Sequence, residues 1–146
     1  MKKDIFLIRL SESERTDFGR VDFGSQPEAQ RVFSAIWELE SQVNNGGFDQ
    51  YFRNSDSDVI AYAPAALRAI GASLCAGIVV CALEIIGPLP PTQAGRYGAL
   101  NTAGEKGQKA LDALDSEFFA YPDNLTEKLF EFVRNHPEAF GPVPSV

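Results

Sequence analysis

The chain has 146 residues, 45% hydrophobic and 23% charged, with 13 Lys and Arg against 20 Asp and Glu for a formal charge of -7. That length suits one domain, and the apolar fraction excludes disorder as the global state. The acid excess excludes direct binding to nucleic acid or anionic lipid, both of which rely on surplus Lys and Arg.

Residues 4–10 are short and apolar enough for a strand or a docking segment, and residues 11–24 read as a polar, extended lead-in. Ser25 and Glu28 form a capping-box pattern with Pro27 in the first turn, which predicts a helix start. Ala29, Val32, Phe33, Ile36, Trp37, Leu39 and Val43 then recur with helical spacing. Asn44, Asn45, Gly46 and Gly47 predict a stop and a tight helix-to-helix turn, since Asn and Gly tolerate the left-handed backbone of a helix C-cap. Residues 48–54 read as a short helix with Phe48, Tyr51 and Phe52 inward. Val59, Ile60, Ala63, Leu67 and Ile70 line the next helix, with Pro64 expected to kink it or open a new first turn. Residues 73–86 are nearly all apolar and predict a helix covered on most sides. Residues 87–98 read as a proline-rich surface loop. Thr102 with Glu105 suggests another capping box before the stripe Ala110, Leu111, Leu114 and Phe118. Pro122 and Asn124 open the last strong helix, lined by Leu125, Leu129, Phe130 and Val133 and ended by Pro137. The expected fold is a single all-α bundle of about six to seven helices over residues 26–140, with a lead-in over 1–25 and a fraying tail over 141–146.

The expected compartment is the cytoplasm. The apolar run of residues 5–8 stops at Arg9, whereas a secretory signal needs about 7–15 apolar residues. Residues 69–87 carry Glu84 and three glycines and suit a core helix better than a membrane span of about 20 apolar residues. Cys75 and Cys81 on one helix would be about 9 Å apart along the axis, too far for a disulfide, so buried free thiols are expected. One His and no Cys/His cluster give no basis for a metal or cofactor site.

The stretch from Trp37 to Asn54, Trp-Glu-Leu-Glu-Ser-Gln-Val-Asn-Asn-Gly-Gly-Phe-Asp-Gln-Tyr-Phe-Arg-Asn, is distinctive. It resembles the signature of a bacterial family, domain of unknown function 4375, one of whose members is a DNA mimic. The likeness continues through residues 66–72, resumes at residues 111–119, and spans roughly residues 27–135. It implies an all-helical fold and a homodimer. For the mimic member it implies an acidic surface that occupies the DNA-binding face of a repressor-type transcription factor.

The conspicuous residues carry two readings each. Asn44, Asn45, Gly46 and Gly47 with Phe48, Asp49 and Gln50 suit either a tight turn or a small-ligand site. Phe48, Tyr51 and Phe52 suit core packing, because base stacking on this acidic chain lacks its electrostatic half. Glu38 and Glu40 point about 200° apart on a helix and make no paired-carboxylate site unaided; Glu38 with Asp49 across the turn is the alternative. His136 sits where an imidazolium meets terminal carbonyls, with no nucleophile tied to it, so no catalytic residue is assigned. Gly104 and Gly107 lack the Gly-Lys-Ser/Thr ending of a phosphate loop.

Residues 1–49 carry net -3, residues 50–100 net 0, and residues 101–146 net -4. Asp112 and Asp115, and Glu127 and Glu131, share helix faces. One reading is a solvated, solubilising surface. The other is a binding surface formed by Glu38, Glu40, Asp49, Asp112, Asp115, Glu117, Glu127 and Glu131. Twice -7, or -14, compares with roughly 18 charges on 30 Å of duplex DNA, so imitation of DNA requires a dimer. The sequence therefore favours an acidic protein-interaction module with a basic DNA-binding protein or other basic protein as partner. The alternatives are an inhibitor or immunity-type protein, a ligand binder or enzyme at residues 44–49, and a subunit of a larger assembly.

Overall fold

A computed structural model describes residues 1–143 of the chain. Seven helices and no strand are found among them: α1 (Lys3–Ser11), α2 (Glu28–Asn54), α3 (Ser57–Ala69), α4 (Ser73–Ile86), α5 (Gln93–Phe119), α6 (Leu125–Arg134) and the single turn α7 (Pro137–Phe140). The all-α, one-domain expectation holds. None of the described helices is long and apolar enough to cross a membrane.

The N-terminal segment is helical, not extended. Phe6, Leu7 and Leu10 of α1 are buried while Ile5 and Ile8 remain exposed, and Phe6 meets Phe130 of α6 edge-on at 5.6 Å. Four consecutive apolar residues conceal the helical period in sequence; contact with α6 sets the face that is buried. The lead-in behind α1 is not extended either. Two buried glutamines of or near α2 hold it. Gln30 accepts from Asp17 N–H at 2.9 Å and donates to the Arg15 and Ala139 carbonyls at 3.0 and 2.8 Å. Gln26 donates to Val21 O at 2.9 Å and accepts from Ser34 Oγ at 2.7 Å. Using both ends of a buried amide in this way removes the cost of burying it. The expected Ser25 cap does not form: Ser25 closes a 3-10 turn, and α2 begins at Glu28 after Pro27 with no side-chain cap.

Helix α2 supplies the centre of the core through Phe33, Ile36, Leu39, Val43, Phe48, Tyr51 and Phe52, all fully buried. The expected turn at residues 44–47 is a kink within this one helix, at Gly46 and Gly47 (φ 73°). Pro64 lies buried inside α3, which runs on from Ser57 to Ala69 without a new start. Gly71 (φ 81°) ends α3: Ala72 N–H donates to Leu67 O at 2.8 Å and Gly71 N–H to Arg68 O at 3.0 Å, a six-to-one plus five-to-two closure that needs a left-handed residue. Helix α4 buries Cys75, Ala76, Ile78, Val79, Ala82 and Ile86, yet Leu74 is 59% exposed beside an exposed Gly77 and Cys81. One of its faces is thus open, against the expectation of cover on most sides.

Helix α5 starts at Gln93, nine residues before the expected box at Thr102. Thr92 accepts from Gly95 N–H at 3.0 Å, while Thr102 donates to Gly98 O instead of capping. Gly104 (φ 65°) breaks the helix axis. The first half of α5 has few apolar residues and so shows little period. It is anchored by Arg96, 3% exposed, whose Nε donates to Phe52 O at 2.8 Å. Asn124 caps α6 as expected, accepting from Glu127 N–H at 3.1 Å. Pro137 starts α7 beyond the end of α6 at Arg134, and His136 Nδ1 lies 2.7 Å from Phe132 O in the last turn of α6. The tail expected to fray is held through Pro142, whose carbonyl accepts from Arg15 Nη2 at 2.7 Å; residues 144–146 lie outside the described residues.

Candidate functional site

The kink of α2 exposes an N–H that a continuous helix would have satisfied. Asp115 of α5 accepts it: Phe48 N donates to Asp115 Oδ1 at 2.8 Å. The carboxylate thereby serves as an N-cap supplied from another helix, at the positive end of the second half of α2. Gly47 is required twice over, by its left-handed φ and because a Cβ there would stand 2.3 Å from Asp115 Oδ2. Burial raises the Asp115 carboxyl, the Phe48 N–H lowers it, and the negative charges of Asp112 and Asp49 raise it further. These three acids of the sequence-predicted set therefore do gather at one place.

The amides around the kink are committed to one another. Asn45 Nδ2 donates to Gln50 Oε1 at 3.2 Å, Gln50 Nε2 to Gln42 Oε1 at 2.9 Å, and Gln42 Nε2 to Glu38 Oε1 at 3.0 Å. Ser55 Oγ closes the row on Glu38 at 2.9 Å. The turn is thus filled by its own side chains. Gln50 packs against Gly46 as Asp115 packs against Gly47. Phe48, Tyr51 and Phe52 are core residues, as the packing reading required.

Glu40 lies on another side of α2. Tyr121 Oη donates to Glu40 Oε2 at 3.3 Å and accepts from Asn44 Nδ2 at 2.8 Å. Tyr121 holds φ 48°, an uncommon backbone for a bulky residue, and these two bonds help fix it. Burial pushes the Glu40 carboxyl up to about 7 against the lowering effect of the Tyr121 hydroxyl. Glu40 also lines a cavity of about 240 Å³ with Asp4, Leu7, Ile8 and Trp37, between α1, α2 and α6.

The remaining acids divide. Asp49 is paired with Arg53 at 2.9 Å, Glu127 with Lys3, and Glu131 with Arg134 at 2.6 Å. Asp112 accepts from Gln108 at 3.0 Å. Glu117 borders a groove of about 300 Å³ with Leu74, Ile78, Ala120 and Pro122. Glu127 and Glu131 face a different groove, on α6, that also holds Lys128 and His136. Thus the eight acids do not form one cluster; Asp49, Asp112 and Asp115 do.

Sequence reading missed Tyr121, Asp123 and Trp37. Asp123 is 9% exposed and caps α4 through Cys75 N–H at 2.9 Å, from 48 positions away. Burial, with Asp123 and Glu40 nearby, raises the Cys75 thiol to about 11 and leaves it a protonated core residue, not a nucleophile. No group of His, Cys, Asp and Glu able to hold a metal occurs among the described residues.

Comparison with the curated proteins and with the solved structures returns no match. The DMP19-like protein family matches over residues 24–136, most of the chain, and the protein belongs to that family.

Proposed function

We propose that the protein is a homodimeric, cytoplasmic DNA mimic that binds a basic protein, such as the DNA-binding face of a transcription factor, and catalyses no reaction. Membership in the DMP19-like family, which is of the DNA-mimic type, supports the class of function. The structural observation that carries the reading is topological. Helix α1 packs on α6 and α2 packs on α5, so the two acidic thirds of the sequence meet in space, with the neutral third, α3 and α4, packed against both α2 and α5. Asp49, Asp112 and Asp115 are the proposed contact residues. Among the described residues three ion pairs occur against twenty acids, which leaves most carboxylates free to act over a distance.

Charge and exposed apolar surface support the dimer reading. One copy at -7 is too dilute to imitate a duplex, and -14 approaches the roughly 18 charges on 30 Å of DNA. Leu74 is 59% exposed, and Phe119 and Tyr121, on either side of Ala120, are 47% and 40% exposed. Leu74 shares a groove with Ile78, Ala120 and Pro122; exposed apolar surface of this kind marks an interaction site, and we assign this one to the second copy. The free thiols Cys75 and Cys81 accord with a reducing compartment.

The decisive experiment is capture of basic proteins from a cell extract, followed by competition with duplex DNA. Capture that weakens steeply with salt and is displaced by DNA supports the reading. Capture indifferent to both overturns it. Sedimentation of Leu74→Glu tests the dimer: the wild type is expected at twice the chain mass and the variant at once.

A further inference from the structure

The cavity between α1, α2 and α6 has a chemistry that the acidic cluster at the kink lacks. Its floor is apolar and aromatic, from Leu7, Ile8 and Trp37, and its polar side includes the Glu40 and Asp4 carboxylates. No Lys or Arg lines it. The adjacent Lys3 is already committed, with its ammonium on Glu127 and 5.2 Å from the centre of the Phe130 ring. Of Glu40's two oxygens, one accepts the Tyr121 hydroxyl, and no hydrogen bond to the other occurs among the described residues. A pocket that offers an aromatic ring, an aliphatic floor and two carboxylates suits a positive group carried on an apolar stem. The ring quadrupole and the carboxylates attract the charge, and the floor covers the methylenes.

We propose that this pocket receives a lysine or arginine side chain of the protein partner, as the anchor of the complex. The volume, about 240 Å³, is of side-chain scale and below that of most drug-sized ligand sites. This rests on the reading of the chain as a binder of basic proteins, and it adds a defined anchor to what would otherwise be diffuse electrostatic attraction. Anchors of this kind dominate interfaces in which most contacts are energetically neutral. The groups facing Glu40 are Asp4 of α1, the Tyr121 hydroxyl and the Cys75 thiol at the start of α4. None is cationic, so an incoming cation is the group that would favour the charged carboxylate, and its binding is accompanied by release of a proton.

Trp37 is the single tryptophan, so its fluorescence and indole N–H resonance report on this pocket alone. The test titrates the full chain with N-acetyl-lysine methylamide and N-acetyl-arginine methylamide, with the neutral N-acetyl-norleucine analogue and free putrescine as comparisons. At least one of the two cationic derivatives is expected to shift the Trp37 signals saturably, with the neutral analogue at least about tenfold weaker. Glu40→Gln should weaken the cation by about tenfold and Asp4→Asn by less, since Asp4 is the more exposed. Glu40→Gln keeps the side-chain shape and removes a buried charge, so the fold is retained; an unchanged far-ultraviolet spectrum verifies this.

Equal response to the neutral analogue, or no response to either cation, overturns the pocket. Tighter binding of putrescine than of the lysine derivative assigns the pocket to a free diamine and also overturns it. A salt-sensitive, DNA-competed complex that ignores Glu40→Gln defeats the anchor and leaves the DNA-mimic reading intact. Cation binding without any basic protein partner defeats that reading instead.

Discussion

Asp115 Oδ1 accepts the Phe48 backbone N–H at 2.8 Å across 67 positions of sequence, so a carboxylate of α5 caps the second half of α2. The relationship explains why an acid sits half-buried at the most distinctive stretch of the chain: its first role is to make the kink stable.

Removal of that cap has a measurable cost. Asp115→Ala is expected to lower stability by about 1–2 kcal/mol, the usual loss of a helix N-cap. Asp115→Asn, which keeps an acceptor oxygen, should lose less. Gly47→Ala should be worse than either, because it forces a left-handed alanine and a Cβ into contact with the carboxylate. The double variant Gly47→Ala with Asp115→Ala should cost less than the two singles added together, since the clash disappears with its partner. Urea midpoints of the four variants decide it; strict additivity would show that the clash is not felt.

Glu40 makes stability depend on pH in a defined direction. Its carboxyl is raised from an ordinary 4.5 to about 7, so the folded chain holds the proton more tightly than the unfolded chain does. That contribution is full below about pH 4.5 and is lost as pH rises through about 7. Glu40→Gln should therefore match the wild type near pH 4 and exceed it at pH 8 by on the order of 2 kcal/mol. Thermal or urea unfolding at the two pH values measures the gap. A constant difference would mean that Glu40 titrates normally.

Arg96 is the buried cation of the fold. Among the described residues it has no carboxylate partner; it donates to Phe52 O and to Ser57 Oγ, and Ser57 Oγ donates to Pro90 O. The guanidinium thus ties the carbonyl end of α2 to the start of α3 and the loop before α5, where the helix dipole favours positive charge. Arg96→Met keeps the stem and leaves Phe52 O without this donor, at about 2–4 kcal/mol. Arg96→Lys should fall between, because one ammonium cannot reproduce the fork. Equal denaturation midpoints for Lys and Arg would show that charge alone suffices.

Legibility of the sequence follows from the range of each interaction. Local patterns were sound where capping and period were local: Asn124 on Glu127, and the inward stripes of α2, α3 and α6. Expectations failed where a distant contact decides. Helix α1 is specified by Phe130, the first half of α5 by a buried Arg96 that no hydrophobic pattern reveals, and the lead-in by Gln26 and Gln30. At the site, Asn44, Gly46 and Gly47 announced a departure from regular helix but could not distinguish a turn from a kink. That choice is made by Asp115 from α5. The pairing of Glu127 with Lys3 was likewise beyond sequence reach, at a separation of 124 positions.

Tyr121 joins the kink side of α2 to Glu40, and its hydroxyl is the sensitive point. Tyr121→Phe removes the donor that holds the Glu40 carboxyl down, so the Glu40 midpoint should move above about 7 while the fold is kept. It also releases Asn44 Nδ2, which turns to water at the exposed surface, so the cost in stability should stay under about 1 kcal/mol. Carbon-13 titration of the Glu40 carboxyl reads the midpoint directly. An unmoved midpoint would show that burial alone sets the Glu40 proton; a lowered one would mean that the hydroxyl shields the carboxyl from water more than it stabilises its charge.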